Sequence, residues 1–586
     1  MLKIGAPRDG VNASVRRKVR RRKGGDVVAA VQLVCRGDEL SPQGHVRETD
    51  VIVAGAGPTG LLLANELALA GVRPTVLETL AEPTGQSRAL NLHPRTAEIL
   101  DLRGLLADLQ KHPIQLGFLT RSFFAGIPVA LDNEPFGSRY PQQIGVLQSR
   151  VEAMLEERLA AVHGITVERG RELVGFEQDE HGVTATVRGP DGAETPLRGH
   201  YLVGCDGSRS RVRRALGLPF DGTDGGPQTR VAADVVLVRP PEKWFEDRGP
   251  EGVGEVDGRD VRMLPDVGLT GMITLSKGGR QTHFSLVGLE NGVYRLMFSD
   301  PEQTGGRAIL RDAPITEQEV RDVLRAVGGP AAEMKELLWA SRFGDACRQV
   351  DRYRVGRALL AGDAAHIVFP IGGQGMNLGL QDAFNLGWKL AAAVKGWAPD
   401  GLLDTYHGER HPVAAAILGS ARAQSTLLSR EQDMTALRDL LTSLVDLPET
   451  NRYLAGLTSG LTIRYGASDG DGHPLAGRLM PDLDLTVRGE PVRFSTLMHA
   501  GRGVLLEFPA EAREGEAGEE TEGRGRLAPA VRGRADRINH VVAGPVAGQD
   551  FRAVLIRPDG HVCWAAQDAT GPDDEALHAA LTRWFG

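Results

Sequence analysis

The chain has 586 residues, 41% hydrophobic and 25% charged, with 74 glycines and a formal net charge of -8. Those proportions suit a soluble globular chain of several domains and exclude a fibrous or wholly disordered one, while the net negative charge argues against a dedicated nucleic-acid binder. The cysteines Cys35, Cys205, Cys347 and Cys563 are scattered without a CxxC, which excludes a zinc site, a disulfide framework and a dithiol redox centre; no apolar run reaches the roughly 18 residues of a membrane span, so no metal and no membrane are expected and the cytoplasm is the default location.

Residues 1–48 carry a basic cluster, Arg16, Arg17, Lys18, Arg20, Arg21, Arg22 and Lys23, with no apolar stretch after it. It is not a signal peptide, and we read it as a disordered basic extension, with an upstream start other than the natural one as a further explanation. Organised structure is expected from about Glu48. Asp50–Ala54 is then a short apolar run, as in a buried parallel strand. Gly55-Ala56-Gly57-Pro58-Thr59-Gly60 follows at once, Leu61–Ala70 reads as a helix stopped by Gly71, and Pro74–Leu77 reads as a second strand ending at Glu78. This is a complete strand–turn–helix–strand fingerprint. Gly55 permits the turn, Gly57 lets a pyrophosphate approach the backbone, and Gly60 lets helix pack on strand. The helix N-terminus offers free N–H groups to phosphate. Glu78, about 20 residues past Gly55, stands where an acid accepts from an adenosine ribose hydroxyl and repels a 2′-phosphate, which favours FAD or NAD over NADP at this site. The competing reading is a glycine-rich turn without a ligand.

Two later motifs choose between these. Tyr201–Val203 reads as a strand running into Gly204-Cys205-Asp206-Gly207-Ser208-Arg209-Ser210, with Arg211, Arg213 and Arg214 on a following helix. Ala358–Ala361 reads as another strand, followed by Gly362-Asp363-Ala364-Ala365-His366, then Pro370, Gly372-Gly373-Gln374-Gly375-Met376-Asn377 and a helix to about Lys395. A carboxylate at the end of a strand can hold a ribityl hydroxyl, and a glycine-rich turn opening a helix directs N–H groups at the N1/O2 side of a flavin. Between the last two motifs, Gln281–Val287 and Val293–Phe298 alternate as half-buried antiparallel strands do. Residues 401–466 read as helices, and Pro509–Asp536 is a Glu-, Gly- and Arg-rich stretch read as a solvated insertion.

The combination GxGxxG, DG and GDAAH with its glycine-rich turn resembles the class A FAD-dependent aromatic hydroxylases, with the p-hydroxybenzoate hydroxylase fold. Ser87-Arg88-Ala89-Leu90-Asn91-Leu92-His93 with Arg95-Thr96, Ser341–Asp345, Tyr406–Pro412, His473–Gly477 and Arg557–Val562 extend the resemblance over about residues 49–586, toward the angucycline and anthracycline polyketide hydroxylases and the rifamycin-type monooxygenases. The resemblance implies an α/β chain. It would consist of a Rossmann-like FAD-binding domain at 49–225 and 340–400, with a short substrate-domain excursion around 121–147; an inserted antiparallel-sheet substrate domain at 226–339; a helical segment at 401–466; and a thioredoxin-like C-terminal domain at 467–586, without CxxC and with the flexible insertion 509–536.

By the same resemblance, Thr59 and Glu78 bind the AMP half of FAD, and Gly55, Gly57, Gly60 and Thr79 stand with them as cofactor-binding residues. Leu173 meets the adenine through its backbone, Arg88 contacts FAD from a mobile loop, and Gln148 lies near the ribityl chain. Asp206 and Gly207 serve FAD and the nicotinamide donor, Asp363 holds ribityl and pyrophosphate, and Gly375, Met376 and Asn377 offer N–H groups to the ring. Ser210 and Arg213 supply the Ser and Arg that accompany the DG pair. Plainer readings stand beside these: a surface arginine for Arg88, a solvated helix start for Gln148, a structural His366 and a packing Cys205. The implied activity is an NADPH- or NADH-dependent, O2-using hydroxylation of a small polycyclic aromatic polyketide through a flavin C4a-hydroperoxide, in natural-product biosynthesis. No protein nucleophile is needed, and neither His283 nor Tyr294 stands out as the base, so no catalytic residue is named. Baeyer–Villiger oxygenation and antibiotic inactivation are alternatives on the same scaffold, and an inactive flavin-binding partner protein is the alternative from another class.

Overall fold

The computed structural model describes residues 46–114, 122–125, 127, 129–223, 230–244, 254–256, 259–264, 268–275, 280–299, 314–428, 432–466, 473–508, 525–567 and 574–586. The basic cluster and residues 509–524 lie outside them. The end of the expected extension does not: Arg47–Glu48 is a strand paired in parallel with Glu194–Gly199, because its backbone completes the edge of a four-stranded sheet.

Strand β1 (Val51–Ala54) is buried along its whole length. Helix α1 (Pro58–Leu69) starts earlier than the apolar pattern suggests, since proline in the first turn is already set at a helical φ. Then come β2 (Pro74–Glu78), α2 (Gln148–His163), β3 (Glu168–Arg169), β4 (Glu172–Gln178), β5 (Tyr201–Gly204) and α3 (Arg211–Ala215). The chain leaves through β6 (Arg230–Leu237), β7 (Arg280–Gly288), β8 (Val293–Ser299) and β9 (Met334–Phe343) and returns by β10 (Arg354–Val355), β11 (Ala358–Leu360) and helix α4 (Gln374–Val394). The central sheet has the order β10-β11-β5-β1-β2-β3, parallel except at β10. The inner strands β1, β5 and β11 are buried along their whole length, in one core with α1, α4 and the apolar residues Val183, Ala185 and Leu197 of the four-stranded sheet.

The middle of the chain forms a seven-stranded antiparallel sheet in which β7, β8, β6 and β9 are consecutive neighbours. Val231, Val235, Leu286 and Leu296 on one face pack against Val320, Val323, Leu324 and Val327 of the helix Glu317–Gly328. Residues of opposite parity face the parallel sheet's side of the molecule.

Helices α5 (Thr405–Leu427), α6 (Gln432–Val445) and α7 (Pro448–Ser459) fill the expected helical segment. The described residues around 121–147, expected as a short substrate-domain excursion, pack on the helical segment. Phe124, Ile127 and Leu131 bury against Leu427, Val445 and Ala455, and Gln424 and Asn451 hydrogen-bond the same stretch, so its apolar side belongs to the helical segment. The C-terminal part is a sheet of order β13-β12-β14-β15, from β12 (Gly503–Glu507), β13 (Ile538–Val542), β14 (Ala553–Ile556) and β15 (Val562–Ala566), closed by α8 (Asp574–Phe585). Residues 525–536 are not the solvated loop their composition suggests: Leu527 and Val531 are buried with Leu505 and Ile538, two apolar anchors inside a polar run. No helix among the described residues is long and apolar enough to cross a membrane.

Candidate functional site

The turns after β1, β2, β5 and β11 open on one cavity of about 670 Å3, the size range of small-molecule and cofactor sites. Every residue expected at the cofactor lines it except Gly60 and Asn377. Gly55, at φ +105°, makes the first turn, and a Cβ there would stand 2.4 Å from the Cys205 carbonyl oxygen. Around Gly57 the space is open, as close ligand approach requires. Thr59 sits in the first turn of α1, where backbone N–H groups lack intrahelical partners. The Glu78 carboxylate accepts from the Ala56 N–H and from the Leu80 N–H, both at 2.9 Å, which fixes it at the end of β2 beside Thr79. Leu173, second in β4, is brought to the same end.

Gly60 serves packing, as its place in the fingerprint suggests. A Cβ there would fall 2.0 Å from the Gly55 carbonyl oxygen, so the glycine closes the helix on the turn and never reaches the cavity. Asn377, expected to offer its backbone N–H, is buried, and its side chain has partners of its own: Oδ1 accepts from the His93 N–H at 2.7 Å, and Nδ2 donates to Asn91 O and Gly373 O. It ties the Asn91–His93 segment to the glycine-rich turn.

Asp206 caps α3 through Oδ2, which accepts from the Arg211 and Val212 N–H groups at 2.6 and 3.2 Å; its Oδ1 is shielded and has no hydrogen-bond partner among the described residues. Ser210 caps the same helix by accepting from the Arg213 N–H at 3.0 Å. Arg213 does not reach the cavity. It donates to Ala364 O and Ser208 O and lies over Phe220, so it binds the DG loop to the turn after β11.

Asp363 stands in that turn, open to the cavity yet ringed by protein. Desolvation raises its carboxyl pKa, against the attraction of His366 and Arg88. Arg88, across the cavity, has no partner for its guanidinium among the described residues. Gln148, first in α2, accepts from the Ala89 N–H at 3.1 Å and donates to Glu152 at 2.8 Å, which fixes the neighbour of Arg88. Gly375 and Met376 follow Gly373, at φ +72°, in the first turn of α4, whose dipole points its positive end at the cavity.

Below the turn lies a residue the sequence reading missed. Asp382 is fully buried and accepts from the Gly362 N–H at 3.1 Å, His366 Nε2 at 2.6 Å and Arg410 Nε at 2.8 Å. Burial pushes its carboxyl up, but His366 and Arg410 outweigh that and hold it below the usual range. His366 is therefore a strut, as its plainer reading has it. Cys205 is a packing residue whose thiol burial pushes up, helped by Asp206 and Asp382. Also missed is the basic lining of Arg171, Arg209, Arg211 and Arg214. The run from Arg209 to Arg214 was visible beside the DG pair; Arg171 carried no signal.

Free N–H groups at two helix starts, three carboxylates at or just after strand ends, a basic lining and open space at Gly57 fit an adenine dinucleotide. A parallel sheet delivering these groups beside an antiparallel sheet defines a dinucleotide-binding flavoprotein.

Comparison with known proteins narrows the class. A family profile described as "FAD binding domain" matches residues 48–421, and one described as "Aromatic-ring hydroxylase, C-terminal" matches residues 473–586. The chain is 41% identical over 544 residues to a 12-dehydrotetracycline 5-monooxygenase/anhydrotetracycline 6-monooxygenase of Streptomyces rimosus, covering 92% of this chain and 99% of that protein. It is 42% identical over 540 residues to a rifampicin monooxygenase of Streptomyces venezuelae, covering 92% and 98%. The crystal structure of CabE, an aromatic hydroxylase from angucycline biosynthesis, superposes with a TM-score of 0.74 at 37% identity, covering 92% and 99%. The chain belongs to this family of FAD-binding aromatic-ring hydroxylases and is a flavoprotein monooxygenase, as the three sequence motifs implied.

Proposed function

We propose that the chain uses FAD, NADPH or NADH, and O2 to hydroxylate a polycyclic aromatic polyketide in natural-product biosynthesis. The observation that carries the reading is the convergence of three distant segments, Gly55–Glu78, Asp206–Gly207 and Asp363–Met376, on one cavity beside the antiparallel sheet. Reduced FAD would supply the oxygen-transfer chemistry at its C4a position; the protein supplies position, dryness and electrostatics.

In this reading Glu78 and Thr79 hold the adenosine ribose, Leu173 meets the adenine, and the first turn of α1 takes the pyrophosphate. Asp363 and Gln148 take the ribityl chain, Arg88 adds positive charge opposite Asp363, and Gly375 and Met376 aim N–H groups at the ring. Asp206 and Gly207 shape the wall where the nicotinamide donor approaches. Residues 49–225 and 340–400 form the FAD part, 226–339 the wall over the substrate, and 467–586 a structural tail. The unpaired Cys205, Cys347 and Cys563 suit a reducing cytoplasm.

Antibiotic inactivation is the second reading, favoured by the similarity to the rifampicin monooxygenase. The experiment is anaerobic reduction of the yellow holoenzyme by each nicotinamide, with and without a panel containing anhydrotetracycline, angucycline phenols and rifampicin, followed by aerobic turnover and product mass. A candidate that speeds reduction and gains one oxygen atom supports the proposal. A holoenzyme that no nicotinamide reduces refutes it.

A further inference from the structure

One row of side chains crosses the antiparallel sheet on the face away from its covering helix. Trp339 on β9 is opposite Asp234 on β6, Asp234 is opposite Arg295 on β8, and Arg295 is opposite Val287 on β7. Directly opposed residues of antiparallel neighbours share a face, so these four form a line. The line ends on the segment that carries Arg88. Arg295 Nη2 donates to the Ser87 carbonyl oxygen at 2.6 Å and to Asp234 Oδ2 at 2.9 Å, its Nε donates to Asp234 Oδ1, and its guanidinium lies 5.1 Å from the centre of the Trp339 ring. Val287 is buried against Leu90. Arg295 is 2% exposed.

The segment is gripped from the other side as well. Ser87 Oγ lies 2.9 Å from Ser149 Oγ, and Ala89 exchanges two hydrogen bonds with Gln148. Arg88, between two held neighbours, faces the cavity together with Ala89. A buried arginine is a costly way to stabilise a sheet, since apolar residues of similar volume do as well or better. Its fork does what they cannot: it carries one donor pair to its own sheet and one donor across to the backbone beside Arg88.

We propose that Arg295, oriented by Asp234, is a positioning residue that ties the antiparallel sheet to the Ser87–Leu90 segment and so sets where Arg88 stands in the cavity. A displacement of the sheet, such as a ligand lying on that face would cause, moves the Ser87 carbonyl and with it Arg88. The inference rests on the reading of the cavity as the FAD site, but its central claim concerns the protein alone.

The test uses hydrogen exchange on the full chain without FAD, FAD titration by fluorescence quenching, and NADPH oxidation by the holoenzyme without aromatic ligand, for R295M, R295K and D234N. Loss of one charge-assisted hydrogen bond predicts that exchange in peptides spanning 84–91 of R295M speeds up about ten-fold more than in peptides of β6 and β8, which themselves loosen because Asp234 is left unpaired. R295K, which keeps one charged donor, falls between; D234N, which keeps an acceptor for Arg295, loosens the segment less than R295M. FAD binding weakens about ten-fold in R295M, and NADPH oxidation without aromatic ligand changes in the same order of variants. Unchanged exchange at 84–91 in a folded R295M overturns the proposal. So does uniform loosening of segment and sheet together in both R295M and R295K, which makes Arg295 an ordinary core residue. If the parent binds no FAD, the reading of the cavity fails, and the exchange result still decides the tie.

Discussion

Replacing Asp382 by Asn tests whether the turn carrying Asp363 is held electrostatically from below. The carboxylate is fully buried and satisfies three donors, the Gly362 N–H, His366 Nε2 and Arg410 Nε. An asparagine keeps one acceptor and turns an NH2 toward groups that are themselves donors. It also leaves Arg410, which is 0% exposed, without its anion; the remaining partners of the guanidinium are the Tyr465 hydroxyl, Gln381 Oε1 and Leu378 O. Breaking a buried pair from one side costs about 3–5 kcal/mol, a large share of the roughly 5–15 kcal/mol that holds an ordinary domain together. The assay is urea unfolding of the FAD-free chain, because bound FAD would add its own stabilisation. The double variant Asp382→Leu with Arg410→Met should cost less than the sum of the single changes, since removing both charges removes the unpaired one. A loss below about 1 kcal/mol in Asp382→Asn, or strict additivity in the double variant, refutes the argument.

Three more outcomes follow from the same geometry. A Cβ at Gly379 would stand 2.3 Å from Thr59 Oγ1, so Gly379→Ala should drive Thr59 into the cavity and weaken FAD binding about ten-fold, and adding Thr59→Ala should restore most of it in a fluorescence titration. Glu409 is held at about 2: burial pushes it up, but Arg557 and Lys389 outweigh burial. Its stabilisation is complete above its unfolded value near 4.5 and is lost as pH falls toward 2, on the order of 3 kcal/mol; acid unfolding of Glu409→Gln should be correspondingly flatter across that window. Burial raises the thiols of Cys205 and Cys347 and pushes Cys563 up to about 12, so a chain with Cys35 replaced by Ser should show no rapidly reacting thiol in an aromatic disulfide assay at pH 8 until denaturant is added.

What was legible in the sequence was what is local. The first strand, turn and helix are contiguous, and the glycines, the apolar run and Glu78 each report the same unit. Asp206 and Asp363 were legible because each follows an apolar strand directly. The Asn377 side chain shows the limit: the glycine-rich run marks a close approach, but nothing in its spacing says that this amide meets His93 and Asn91. Arg171 was invisible because β3 is two residues long and is placed only by pairing with β2, where Glu78 is opposite Arg169. The burial of Asp382, Lys389, Glu409 and Arg410 was illegible for another reason, although Glu409 and Arg410 stand in a segment that carries the resemblance: charges on helices ordinarily mark a solvated face, and only the tertiary fold shows these four to be interior.

Those interior charges also explain how the C-terminal part, which has no CxxC, is built into the fold. Helix α4 has 21 residues, roughly 30 Å of rod. Its first turn faces the cavity, Asp382 pins the turn after β11, and farther along Asn385 and Lys389 reach a second ionic cluster. There Lys389 Nζ donates to Glu409 at 2.6 Å, Arg557 from the C-terminal part donates to Glu409 at 2.6 and 2.9 Å, and Arg557 also pairs with Asp559. Burial pulls Lys389 down to about 8 against the attraction of Glu409, so it stays charged at neutral pH. Taking Arg557 and Asp559 away would leave Lys389 and Glu409 exposed on a helix surface where Trp388, packed at 6.5 Å from Trp584, would also lose its cover. The tail thus fixes the far end of the helix whose near end faces the cavity, and a rod held at both ends keeps its N–H groups aimed in one direction, as the proposed FAD site would require of them.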